Sequence, residues 1–117
     1  MNEKLLAECT SKILVQLEKA CDKYPDFCNL FLREYTDLEL IRKRLNWIRS
    51  ESNDEGHRRQ YSVQTTLDEE VAEAYEAYAE GDYGNCLEEL AQVGAVVIRA
   101  MAWIYEHHKE DLNGEDD

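Results

Sequence analysis

Apolar residues recur along this chain at three- and four-residue intervals, separated by short polar stretches, and that rhythm predicts helices rather than strands. Residues 2–23 place Leu5, Leu6, Cys9, Ile13, Leu14, Leu17 and Cys21 along one helical face. Tyr24-Pro25-Asp26 should end that helix, because proline disfavours helical geometry in the residue before it, and Asp26 is positioned to cap the next one. A second helical region is expected over residues 27–49. Its stripe is Phe27, Leu30, Phe31, Leu38, Ile41, Leu45 and Ile48, with a break near Tyr35-Thr36-Asp37. Residues 50–64 are polar and read as a loop. Thr66 starts a third helix, with Glu69 three residues on completing a capping box, and this helix reaches about Glu80. Gly81-Asp82-Tyr83-Gly84 supplies a turn, after which residues 83–108 form a fourth helix. The acidic residues 110–117 are expected to be a disordered tail.

From Leu90 to Tyr105 the strongly polar side chains of the fourth helix are Gln92 and Arg99. A helix apolar nearly all round is buried on most sides, either centrally in a bundle or against a second subunit. Both are expected here. The fold class is therefore all-α: a helical bundle of about four helices in a single domain over residues 1–109, associating as a homodimer or tetramer.

Composition narrows the function classes. The chain has 117 residues and a net charge of -13. That balance disfavours direct nucleic-acid binding and anionic membrane surfaces. Residues 93–104 are the longest strongly apolar stretch; Arg99 interrupts it, and it is too short to span a bilayer. The first residues, Met1-Asn2-Glu3-Lys4, lack a signal-peptide layout, so a cytoplasmic location is expected. Cys9, Cys21, Cys28 and Cys86 show no C-x-x-C spacing and read as reduced, mostly packed thiols.

Candidate chemistry lies in two acid motifs, Glu70-Val71-Ala72-Glu73 and Glu89-Leu90-Ala91-Gln92. Residues three apart share a helix face, so each motif presents a fork of two oxygen-bearing side chains. Two forks on antiparallel neighbouring helices would line a site suited to Mg2+ or Mn2+. Such residues also occur as a solvated acidic face, and spacing does not separate the two readings. Glu89, Gln92, Val96, Arg99 and Trp103 follow one stripe of the fourth helix. Arg99 lies roughly 10 Å along the axis from Gln92, where a guanidinium could meet phosphates or neutralise acids at an interface. Trp47 and Trp103 could stack on a base or pack in a core.

The doublet of motifs, with the text Leu67-Asp68-Glu69-Glu70-Val71-Ala72-Glu73 and Glu89-Leu90-Ala91-Gln92-Val93-Gly94-Ala95-Val96, resembles the MazG-like all-α nucleoside triphosphate pyrophosphohydrolases. Their signature is E-x-x-E, a spacer, then E-x-x-D. The resemblance covers residues 66–103 and is nearest to short phage- and actinobacteria-associated members. It implies a metal-dependent enzyme that cleaves a nucleoside triphosphate to monophosphate and pyrophosphate. Glu70, Glu73, Glu89 and Gln92 would ligate the metal, and Glu69 or Glu70 would handle the attacking water. Arg99, Trp103, Lys23 and Tyr61 would contact the nucleotide. Gln92 stands where the family has its last acid, leaving three carboxylates instead of four. Two other readings stay open: a nucleotide-binding module with weakened turnover, and an acidic helical protein whose charge occupies a basic partner.

Overall fold

The computed structural model describes residues 1–52 and 62–115. Those residues are all-α: α1 Glu3–Lys23, α2 Leu38–Ser52, α3 Val63–Ala79, α4 Tyr83–His107 and a short α5 Lys109–Glu115, with one 3-10 turn at Phe27–Asn29. No strand occurs among the described residues. Packing divides the chain into two compact units, one of Met1–Phe31 with the described residues from Val97 onward, the other of Leu32–Val96. No helix among the described residues is long and apolar enough to cross a membrane.

In the first unit, Asn2 caps α1 by accepting the Leu5 backbone N–H on its side-chain oxygen at 2.7 Å. The helix stops at Lys23, just before Tyr24-Pro25, as the sequence predicts. Leu5 and Cys9 pack against Ala102 of α4, with Ile98, Met101 and Tyr105 around them. The rest of the α1 stripe differs from expectation. Leu6, Leu14, Leu17 and Cys21 are exposed, Leu14 at 56%. Its buried residues, Leu5 and Cys9, lie in the first two turns and Ile13 is half-buried, so periodicity gave the spacing of the face but not how far it is covered.

Residues 30–37 are not helical, contrary to the expected helix from residue 27. Asp26 stands before the 3-10 turn but its side chain makes no capping bond, and Leu30 is extended. Tyr35 adopts φ 66°, a left-handed conformation that interrupts any helix at the predicted break. Asp37 then accepts the Leu40 N–H at 2.9 Å and starts α2.

The second unit is built on the antiparallel pair α2 and α3. Ile41, Leu45 and Ile48, at i, i+4 and i+7, bury against Ala72, with Leu32 packed alongside. Burying each large aliphatic contributes about 1.5–3 kcal/mol. Small residues line α3, where Ala72, Ala74 and Ala77 are all buried, letting neighbouring backbone approach. Ion pairs border this seam: Arg42 meets Glu76 at 3.3 Å and Glu80 at 2.9 Å, and Arg49 meets Glu73 at 3.2 Å and Glu69 at 3.6 Å.

Both ends of the expected 50–64 loop are helical, since α2 continues to Ser52 and α3 begins at Val63. The cap of α3 is Ser62, whose hydroxyl accepts the Thr65 N–H at 3.0 Å, not Thr66. Thr66 already donates its N–H to the Ser62 carbonyl inside the first turn. Serine is an equally good cap, and starting there adds a turn of backbone bonds.

Helix α3 ends at Gly81, which takes φ 77°. Gly81 N–H bonds to the Tyr78 carbonyl and Asp82 N–H to the Ala77 carbonyl, the paired bonds of a Schellman ending. Asp82 then caps α4 through the Asn85 N–H at 3.1 Å. Helix α4 starts at Tyr83, where the fourth helix is expected, so that Gly84 lies inside it and not in the turn. Residues 109–115 form α5 where an irregular tail was expected.

Candidate metal centre

The turn at Gly81 decides what the two acid motifs do. Glu73 lies eight residues before Gly81 and Glu89 eight after it. A reversal there sets the two level on neighbouring helices, and Glu70 stands one turn further along α3 on the same face. The thiol of Cys86, buried one turn before Glu89, donates to the Ala74 carbonyl at 3.3 Å and ties the start of α4 to the middle of α3. Burial, and then the charge of Glu89, push that thiol up, which keeps it a donor.

Glu70, Glu73 and Glu89 each bring a carboxylate oxygen to within 4.8 Å of the others. All three are partly buried. Glu70 Oε2 and Glu89 Oε2 are enclosed and meet no hydrogen-bond donor, facing the neighbouring carboxyls of the group instead. An enclosed carboxylate oxygen without a donor is costly, and a hard cation is the chemistry that would satisfy several at once. The donor set, three carboxylates at chelating separation, therefore fits Mg2+ or Mn2+.

Burial dominates the electrostatics of the group. It pushes the Glu73 carboxyl up, helped by Glu89 and Glu69 and opposed by Arg49. The Glu89 carboxyl is also pushed up, first by burial and then by Glu70, with Glu73 acting the other way. Carboxylates brought together resist ionising together, which favours the protonated form at Glu73 and Glu89.

The other residues singled out from sequence lie elsewhere. Gln92 is one turn beyond Glu89 on α4 and its side chain is exposed. Glu69 turns to the Arg49 guanidinium at 3.6 Å. Lys23, Arg99 and Trp103 belong to the first unit. Lys23 sits over the Tyr24 ring, Arg99 is exposed, and Trp103 stacks on the His107 ring with centroids 4.2 Å apart. Trp47, in the second unit, is half exposed under the Arg44 guanidinium. Tyr61 lies outside the described residues.

Arg49 is the participant that sequence reasoning missed. A signal was present: Arg42 and Arg49 are seven apart on α2, matching Glu69, Glu73, Glu76 and Glu80 at offsets of four, seven and eleven on α3. Compared with known protein families, with curated proteins and with solved structures, the chain matches none.

Proposed function

We propose that this protein is a divalent-cation-dependent nucleotide pyrophosphohydrolase of MazG-like type, converting a nucleoside triphosphate and water to the monophosphate and pyrophosphate. The observation that carries the reading is the convergence of Glu70, Glu73 and Glu89 from two helices, with two enclosed oxygens that meet no hydrogen-bond donor. An acidic protein that merely presents charge to a basic partner needs its acids spread over exposed faces, which this group is not.

Glu70, Glu73 and Glu89 would hold Mg2+ or Mn2+, which supplies charge neutralisation to the phosphate oxygens as negative charge develops. The carboxylate oxygens that remain free orient the attacking water and accept its proton, with Glu70, inside the group, better placed than Glu69, which is engaged by Arg49. Water adds to phosphorus, the bond to the bridging oxygen between the α- and β-phosphates breaks, and pyrophosphate leaves. Gln92, exposed one turn beyond Glu89, adds no charge to the group, and metal affinity is correspondingly lower than with four acids. Self-association as a homodimer or tetramer belongs to the same proposal. Its support is the apolar surface left open on α1 and α4, where Leu14, Leu17, Trp103 and Ile104 are about half exposed. A cytoplasmic nucleotide pool is the setting this reading implies.

The test is pyrophosphate release from a panel of ribo- and deoxyribonucleoside triphosphates with Mg2+ or Mn2+, beside Glu73→Ala. Turnover in the parent protein that the substitution abolishes is the expected result. Silence across the panel with thermal stabilisation by metal plus nucleotide would replace the enzyme with a binding module. Silence in both assays would overturn the reading.

A further inference from the structure

The seam between α2 and α3 contains the same device twice. Arg42 bridges Glu76 and Glu80, and seven residues later Arg49 bridges Glu73 and Glu69. Both arginines are about half exposed, both use a fork of donors on two acids one turn apart, and both join the same two helices. If the pairs served only to hold the helices, they would be interchangeable. They differ in what their acids do. Glu76 and Glu80 stand apart from the carboxylate group, whereas Glu73 is shared between Arg49 and the group it forms with Glu70 and Glu89. The Arg49 contacts are also the longer ones, 3.2 and 3.6 Å against 2.9 and 3.3 Å.

We propose that Arg49 is an exchangeable internal cation: it holds Glu73 while the carboxylates are without a metal, cedes that side chain to the divalent ion, and then pairs with the phosphate that the ion binds. The inference rests on the hydrolase reading and adds to it a named phosphate ligand. A guanidinium 3.2 Å from a ligand carboxylate repels a second cation arriving there, and a doubly charged ion outcompetes a singly charged one for the shared oxygen. Arg49 can move without unpacking the apolar core, because its side chain is 47% exposed. Glu69, on the other side, keeps the guanidinium close to the group. A phosphate oxygen on an ion at Glu73 then falls within reach of a planar fork suited to holding two oxygens at once.

Calorimetric titration of the full chain tests this with two probes, Mn2+ alone and inorganic pyrophosphate in saturating Mn2+. The variants are Arg49→Gln, Arg49→Lys and Arg42→Gln, each checked for folding by thermal melting in EDTA. Arg49→Gln should bind Mn2+ about threefold or more tightly, and bind pyrophosphate roughly tenfold or more weakly. Arg49→Lys, which keeps charge without the fork, should match the parent for Mn2+ and recover only part of the pyrophosphate affinity. Arg42→Gln should lose similar thermal stability and leave both affinities unchanged. Mn2+ binding in the parent that Arg49→Gln weakens or leaves unaltered, or pyrophosphate binding indifferent to Arg49, overturns the inference alone. Absence of Mn2+ binding in both the parent and Arg49→Gln overturns the hydrolase reading together with it.

Discussion

At Glu73 and Glu89, burial works against the ionised carboxyl before any ion is considered. Both groups are raised above the ordinary 4.5, so the folded metal-free protein binds protons more readily than the unfolded chain. By linkage their contribution to stability rises as pH falls through the raised values, then levels off below 4.5 where both states are protonated. Metal affinity should fall across the same window, since ion and protons compete for the same oxygens. Glu89→Gln removes one of the clustered charges, and its amide N–H can donate to the neighbouring carboxylates. In EDTA this variant should melt a few degrees above the parent, while stabilisation by Mn2+ should vanish. A lower melting temperature in EDTA would mean that the enclosed charge is already compensated within the fold.

At the scale of elements, the helix ends separate expectation from outcome. Thr66 is the cap the sequence predicts for α3, and the structure uses Ser62. Ser62→Ala should therefore cost about 1 kcal/mol, whereas Thr66→Ala, inside the helix, should change stability by less than about 0.5 kcal/mol. Chemical denaturation of the two variants checks this, and a larger loss at Thr66 would restore the later start. Gly81 has φ 77° and open space around the position of a Cβ, so only the backbone conformation demands glycine there. Helix ends marked by proline, glycine or a clean cap were readable from local chemistry, as at Lys23 and Gly81. The ends at Ser52 and Val63 were not, because polar residues occupy exposed helical turns as readily as loops.

At the scale of the whole molecule, apolar side chains stay open to solvent among the described residues. Leu14, Val15 and Leu17 on α1, and Trp103 and Ile104 on α4, remain about half exposed. Scattered apolar residues on a surface are ordinary, but consecutive turns of one helix are less so. Self-association through α1 is therefore tested by the double variant Leu14→Glu with Leu17→Glu. Sedimentation should show the parent as a dimer or larger and this variant as a monomer. A parent that sediments as a monomer across the concentration range would remove self-association from the proposal. The interior behaves oppositely: Leu45, at 1% exposure, has no slack, and Leu45→Ala should destabilise the second unit by about 2–5 kcal/mol.

The amino-acid sequence by itself determined the helical class and the chain reversal at Gly81, and left Glu70, Glu73 and Glu89 open between one converging group and a solvated face. The first two depend on local periodicity or on the conformational freedom of a single residue, and such signals are written in neighbouring positions. The tertiary structure decided that the two acid motifs meet beside Arg49, that Gln92 is exposed, and that most of the α1 stripe has no cover among the described residues. Those outcomes depend on which helix face meets which. The pairing of α2 with α3 is selected by Ile41, Leu45 and Ile48 closing over Ala72, and it carries Arg49 to Glu73 as a consequence of that packing.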